Sequence, residues 1–239
     1  MKGFRLLRLD HIVIDTANLS QALEFYAGLP DVETSVETGR GIAALGQQKI
    51  NIHEYPPTLS PVAKNPVIGR QAFRLVWPGT GERCRGGFLP EAGSTERFFV
   101  LDPDGNRIEA GFDPESTLPR LDGLELLTAD LRASVRFYTE ILGLKAIEAE
   151  NGVVCLLEWG YIHLLPKAPA LVRGSADFCL ITDADIEAVH WELAGAPLVP
   201  GLGIVRRTGA LGPLRSLYLR DPDGNLVEIA EYGKESLAL

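Results

Sequence analysis

The chain is poor in cysteine: Cys84, Cys155 and Cys179 are all it has in 239 residues, and none stands in a Cys-x-x-Cys pair. An odd, scattered set excludes a disulfide framework and a zinc knuckle and favours a reducing, cytoplasmic setting. Cys155 and Cys179 fall in apolar strand patterns, where a thiol serves as a small core hydrophobe. No apolar run approaches the roughly 20 residues that cross a bilayer. Residues 1–8 are basic but lead straight into a strand pattern, with no long apolar stretch and cleavage site, which argues against a signal peptide. Lys and Arg form no stripe and the net charge is −9, so neither nucleic acid nor an anionic membrane is the expected partner. The glycine-rich Gly201-Leu202-Gly203 and Arg207-Thr208-Gly209-Ala210-Leu211-Gly212 match no phosphate-cradling loop, and no nucleophile elbow is visible. They read as a mobile hairpin. Its Arg206 and Arg207, with Arg215 beyond, read as solvated cations or as a greeting for an anionic substrate.

What the chain does have is a repeat. Asp102-Pro103-Asp104-Gly105-Asn106-Arg107-Ile108-Glu109 returns as Asp221-Pro222-Asp223-Gly224-Asn225-Leu226-Val227-Glu228. Upstream, Arg8-Leu9-Asp10-His11 followed by Glu24-Phe25-Tyr26 returns as Arg120-Leu121-Asp122-Gly123 followed by Arg136-Phe137-Tyr138. The two copies run in parallel with small insertions, which predicts domains at 1–119 and 120–239. A hydrophobic share of 46% and a charged share of 23% supply globular cores for both.

Each copy shows the same order of elements. In the first, a strand over 9–15 precedes a helix over 20–29, capped by Asn18 or Ser20, and strands over 32–37, 41–45 and 49–53. In the second, a strand over 121–127, a helix over 132–142 and strands over 145–150, 153–158 and 161–165 repeat it. After Pro-rich connectors, copy two continues with a strand over 176–182, a helix over 186–194 and strands at 216–219 and after the Asp-Pro-Asp-Gly-Asn turn. His190 on that helix reads as a surface or packing residue. The fold class is therefore α+β, with four β-α-β-β-β modules. The second module is degenerate, since 79–93 carries Gly and Pro where its helix belongs.

The Asp-His-Ile-Val-Ile opening, the Phe-Tyr of the first helix and the Asp-Pro-Asp-Gly-Asn-x-x-Glu close resemble the vicinal oxygen chelate superfamily of glyoxalases, bleomycin-resistance proteins and extradiol dioxygenases. Copy two is also similar to single-domain members described as virulence or glyoxalase-like proteins. The resemblance implies that modules pair into two half-barrel cups. It also implies inward ligands for a divalent metal (Fe, Mn, Ni or Zn), coming from the first and last strands of each module, with open positions for a small oxygenated substrate.

At those positions copy one offers His11, Asn51, Ala72 and Glu109, with His53 on the same strand face as Asn51; copy two offers Gly123, His163, Asp177 and Glu228. The implied metal ligands are thus His11, His53 and Glu109 in one cup and His163, Asp177 and Glu228 in the other. Glu109 and Glu228 are the implied catalytic carboxylates, and neither set is complete. His11 reads equally as a ligand and as a hydrogen-bonded core histidine, while the Asp-Pro-Asp-Gly-Asn turns themselves read as structural. Unequal sets predict that one cup works more than the other. Two functions follow as expectations: a metal-dependent glyoxalase- or dioxygenase-type enzyme, or a metal-free protein that sequesters a small molecule, as monomer or homodimer.

Overall fold

The computed structural model describes residues 2–37, 39–58, 61–79, 98–169 and 171–233. The degenerate stretch at 79–93 and Cys84 lie outside the described residues, apart from Gly79.

Module one comprises β1 (Leu6–Thr16), α1 (Leu19–Ala27), β2 (Glu33–Glu37), β3 (Arg40–Leu45) and β4 (Gln48–Glu54). Module two contributes β5 (Ala72–Pro78), β6 (Phe98–Leu101) and β7 (Arg107–Asp113). Module three is β8 (Arg120–Leu127), α2 (Leu131–Arg136), β9 (Lys145–Ala149), β10 (Gly152–Leu156) and β11 (Tyr161–Leu165). Module four is β12 (Asp177–Thr182), α3 (Ile186–Glu192), β13 (Val205–Gly209), β14 (Gly212–Arg220) and β15 (Leu226–Tyr232). Asn18 caps α1 by accepting a hydrogen bond from the Gln21 amide, and Asp130 and Asp185 cap α2 and α3 in the same manner. The helix expected over 132–142 ends as α-helix at Arg136 and continues as one π-helical turn, Phe137–Ile141. That turn seats Phe137 and Tyr138 side by side in the core.

The modules assemble into an α+β fold of two sheets. One is eight-stranded, in the order β13-β14-β15-β12-β1-β4-β3-β2; the other is seven-stranded, in the order β6-β7-β5-β8-β11-β10-β9. Both have the same plan. An antiparallel pair of module-leading strands, β1 with β12 or β5 with β8, lies at the centre, and each member has a parallel neighbour on its outer side. The sheets therefore do not follow the halves of the sequence. Module one pairs with module four and module two with module three, so the 119/120 boundary falls between two strands of a single sheet.

Contacts within each half come from the repeated phrases. Tyr26 donates to Asp102 Oδ2 at 3.0 Å, and Tyr138 donates to Asp221 Oδ2 at 3.0 Å, all four residues being buried. Asp102 Oδ1 accepts the amides of Asp104, Gly105 and Asn106, and Asp221 Oδ1 accepts those of Asp223, Gly224 and Asn225. The turn is thus a structural unit that locks the helix of one module to the closing hairpin of the next. Buried Gln48 joins the two sheets, donating to the carbonyls of Leu9 and Leu121 at 2.8 Å and accepting from the Leu121 amide. One hydrophobic cluster runs through both sheets, from Leu9, Ile12, Ile50 and Tyr26 to Phe178, Leu124, Ile162 and Tyr138.

Candidate functional site

The concave face of the eight-stranded sheet holds a cavity of about 310 Å³ lined by His11, Val13, Arg40, Asn51, His53, Pro61, Asp177, Arg207, Thr208, Tyr218 and Glu228. Alternation along each strand puts these side chains on one face. His11 on β1, Cys179 on β12, Glu228 on β15 and Tyr218 on β14 stand at one register level across four neighbouring strands.

A local irregularity makes the site. The register of β1 against β12 shifts between Leu9 and His11, a bulge of the kind that re-aims a side chain. Asp10 and His11, consecutive in sequence, consequently meet: His11 Nδ1 lies 2.9 Å from Asp10 Oδ2. Asp10 is fully buried and also accepts from the Tyr232 hydroxyl at 2.5 Å and the Ala210 amide at 3.0 Å. Burial works to raise its pKa, but the hydrogen bonds from His11 and Tyr232 and the charge of Arg8 prevail and hold it below the usual carboxylate range. An ionised Asp10 accepts a hydrogen bond from His11 Nδ1–H and leaves Nε2 facing the cup, 3.7 Å from Glu228 Oε2.

The other groups of the cup are under-partnered. Asn51 Oδ1, His53 Nε2 and Glu228 Oε1 are buried without a hydrogen-bond partner among the described residues. Burial, then the neighbouring Arg40 and His11, push the His53 pKa down to about 4, so the ring is neutral at pH 7. Burial and then the Glu228 and Asp15 carboxylates push Asp177 well above the ordinary range. Lys49, buried beside the site, donates to the carbonyls of Thr208 and Gly209. Together with the Ala210–Asp10 bond, this latches the β13–β14 hairpin, expected to be mobile, across the sheet. Within that hairpin Arg207 lines the cavity, whereas Arg215 is bound to Glu231 and Glu187.

The structure thus brings His11, His53, Asp177 and Glu228 together and leaves Glu109 and His163 in the other sheet. The expectation that Glu109 lies near His11, and Glu228 near His163, is corrected: Glu228 is the partner of His11. The cause is the exchange of modules, which collects the retained positions in one cup and the lost ones, Ala72 and Gly123, in the other. That second cup is filled. Arg74 pairs with Glu109 at 2.8 Å and with Asp122 at 3.4 Å, and Arg107 pairs with Glu125. Tyr161 lies over Gly123 so closely that a Cβ there would stand 2.3 Å from the ring, so the tyrosine occupies the place that His11 has in the first cup.

The sequence reading missed Asp10 as the orienter of His11, and with it Tyr218 and Tyr232. Asp10 was in plain view beside His11, but strand alternation assigns neighbours to opposite faces and only the bulge defeats that. The Asp122 bulge of β8, where the register shifts between Arg74 and Leu75, repeats it.

The family model of the Glyoxalase/Bleomycin resistance protein/Dioxygenase superfamily matches residues 120–229. A virulence protein of Salmonella typhimurium is 38% identical over 123 residues, which cover 48% of this chain and 85% of that protein. The chain belongs to this superfamily. Its fold over nearly the full length is shared with two solved structures. A putative dioxygenase from Bacillus subtilis has TM-score 0.66 and 15% identity, covering 97% of this chain and 86% of that one. Glyoxalase I from Zea mays has TM-score 0.55 and 17% identity, covering 96% and 92%. Among the described residues, the sets of three possible metal ligands that converge are Asp10, His11 and Cys179 beside the cup and Asp185, Glu187 and Glu231 away from it, and no helix is long and apolar enough to cross a membrane.

Proposed function

We propose that the cup of the eight-stranded sheet is the working site of a metal-dependent enzyme of glyoxalase or dioxygenase type, acting on a small oxygenated substrate. The observation that carries this reading is that Asn51 Oδ1, His53 Nε2 and Glu228 Oε1 are buried and unpartnered in the wall of one cavity. Each such group costs about 1–3 kcal/mol when left unmade, a cost that a cation or ligand in the cup offsets. The donor set of imidazole, carboxylate and amide oxygen suits a divalent ion of the Fe, Mn, Ni or Zn kind. His11 and Glu228 would hold it, with His53, Asp177 and Asn51 as further donors. Such an ion supplies charge that polarises a substrate oxygen and acidifies a proton beside it.

The protein's own groups do the rest. Asp10 fixes the ring of His11 and keeps Nε2 aimed into the cup. Glu228, with one oxygen free of hydrogen bonds, is placed to take a proton from substrate and return it. Tyr218 stands opposite Glu228 on β14, and burial followed by the Glu228 charge raises its pKa, so it remains a neutral hydroxyl. The β13–β14 hairpin excludes water from one side of the site.

The rival reading, metal-free sequestration of a small molecule, has one observation in its favour. The three-ligand cluster at this place is Asp10, His11 and Cys179, not the cup's own histidines and carboxylates. Chelation separates the two. EDTA should lower the thermal midpoint, and one of Mn, Fe, Ni or Zn should restore it, by about 2.7 kcal/mol at one hundred times the dissociation constant; His11→Ala should abolish the response. A midpoint indifferent to chelator and to all four ions would replace the enzyme with the sequestering protein.

A further inference from the structure

We infer that the ligand of this cup is a small organic oxyanion, whose carboxylate or phosphate group is held by Arg40 and Arg207; the inference rests on the cup being the working site, not on its metal. Both arginines line the cavity. Several arginines outside the cavity, Arg5, Arg74, Arg107, Arg120 and Arg215, pair with carboxylates. Among the described residues Arg40 and Arg207 pair with none. Arg40 Nε is buried without a hydrogen-bond partner, so a donor of fixed direction is unused. Arg207 is held in place without being neutralised. Its Nε donates to the Tyr218 hydroxyl at 3.2 Å, its Nη1 donates to the Arg206 carbonyl at 3.0 Å, and its carbon stands 5.6 Å from the centre of the Tyr218 ring.

A planar guanidinium held in this way offers parallel N–H donors that match the two oxygens of a carboxylate or phosphate. The second cup contrasts in charge pairing and not in the unused Nε, which Arg74 and Arg107 share with Arg40: there Arg74 pairs with Glu109 and Asp122, and Arg107 with Glu125. The chain carries a net charge of −9, so its overall field repels anions and selection for one has to be local. Arg40 and Arg207 sit on β3 and β13, strands near opposite ends of the sheet that the curl brings to one cavity. An anion bridging them also ties the hairpin to the sheet.

The test uses metal-free protein kept in EDTA, with pyruvate as the carboxylate probe, methyl phosphate as the phosphate probe and hydroxyacetone as the neutral analogue, each titrated calorimetrically. One of the two anions should bind and hydroxyacetone should not. Arg40→Gln and Arg207→Gln should each weaken binding about tenfold, the loss of one charge-assisted contact, while Arg40→Lys and Arg207→Lys keep part of it. Arg206→Gln, on the exposed face of the same strand, should change nothing. Circular dichroism of each variant shows whether it is folded, and the lysine variants decide where a glutamine variant is not. Equal binding of hydroxyacetone, equal loss in Arg206→Gln, or no anion binding to the folded wild type overturns the inference. Anion binding that survives in a protein indifferent to metals would sink the enzyme reading and leave this one standing.

Discussion

Asp10→Asn probes the part of the site that alternation alone conceals. The carboxylate is wholly buried and serves three donors, His11 Nδ1 and the Ala210 amide on Oδ2 and the Tyr232 hydroxyl on Oδ1. Asparagine has nearly the same shape, and its oxygen can keep the two Oδ2 contacts while its amide faces the Tyr232 oxygen. What goes is the charge. Hydrogen bonds to a charged group contribute about 1.5–3 kcal/mol and neutral ones about 1, so three of them lose roughly 2–4 kcal/mol together. At about 2–4 °C per kcal/mol for a chain of this size, the midpoint should fall by roughly 4–16 °C. Metal affinity should fall about 10- to 100-fold, as for other orienters of a ligating histidine. The pH dependence has a sign of its own. Because the folded-state pKa of Asp10 is depressed below 3.8, its contribution is present above the unfolded value and is lost as pH falls through the folded one. Asp10→Asn should therefore remove part of the acid limb of the stability curve. Melting and metal titration across pH are the assays. A variant that melts within 1 °C or so of wild type and binds metal equally well would refute the role given to Asp10.

Tyr26→Phe and Tyr138→Phe should each cost about 1–3 kcal/mol by leaving Asp102 or Asp221 short of a buried donor, with nearly additive losses because the two sites are separate; denaturant titration of the singles and the double checks this. Around pH 4–6 two neighbours oppose each other. Burial raises Asp15 to about 6, so its contribution is complete below the unfolded value and lost as pH rises through 6, whereas His53, lowered to about 4, loses stability as pH falls from 6.5. In chelator-treated protein His53→Gln should thus leave Asp15 unopposed, and stability should rise by about 1–2 kcal/mol from pH 6 to pH 4, after discounting for partial exposure; a flat or falling curve contradicts the assignment.

Local features of this chain were legible because their causes are local. A cap at Asn18 or Ser20, of which Asn18 is the one used, the Asp-Pro-Asp-Gly-Asn turns, the alternation in 9–15 and the short strand over 49–53 each depend on a few adjacent residues, and the repeated order of elements revealed four modules. The inward direction of Glu228, His11 and His53 followed from strand period and superfamily pattern. The partner of each module did not follow, since β1 pairing with β12 instead of β5 is decided by contacts between residues far apart in sequence. Reading along each copy therefore joined His11 to Glu109 and His163 to Glu228. The unequal decay of the two cups was visible in Ala72 and Gly123, yet only the exchange of modules shows both losses in a single cup, where Arg74 and Tyr161 fill the space. Arg74 itself carried no motif. Its meaning lies in its distance from Glu109.

The central claim, one working cup built from the first and last modules, is tested most directly by counting bound ions in Glu228→Ala and Glu109→Ala by mass spectrometry after reconstitution. The account predicts one ion per chain in wild type, retained in Glu109→Ala and lost in Glu228→Ala. Two ions per chain, or loss in Glu109→Ala with retention in Glu228→Ala, would contradict it.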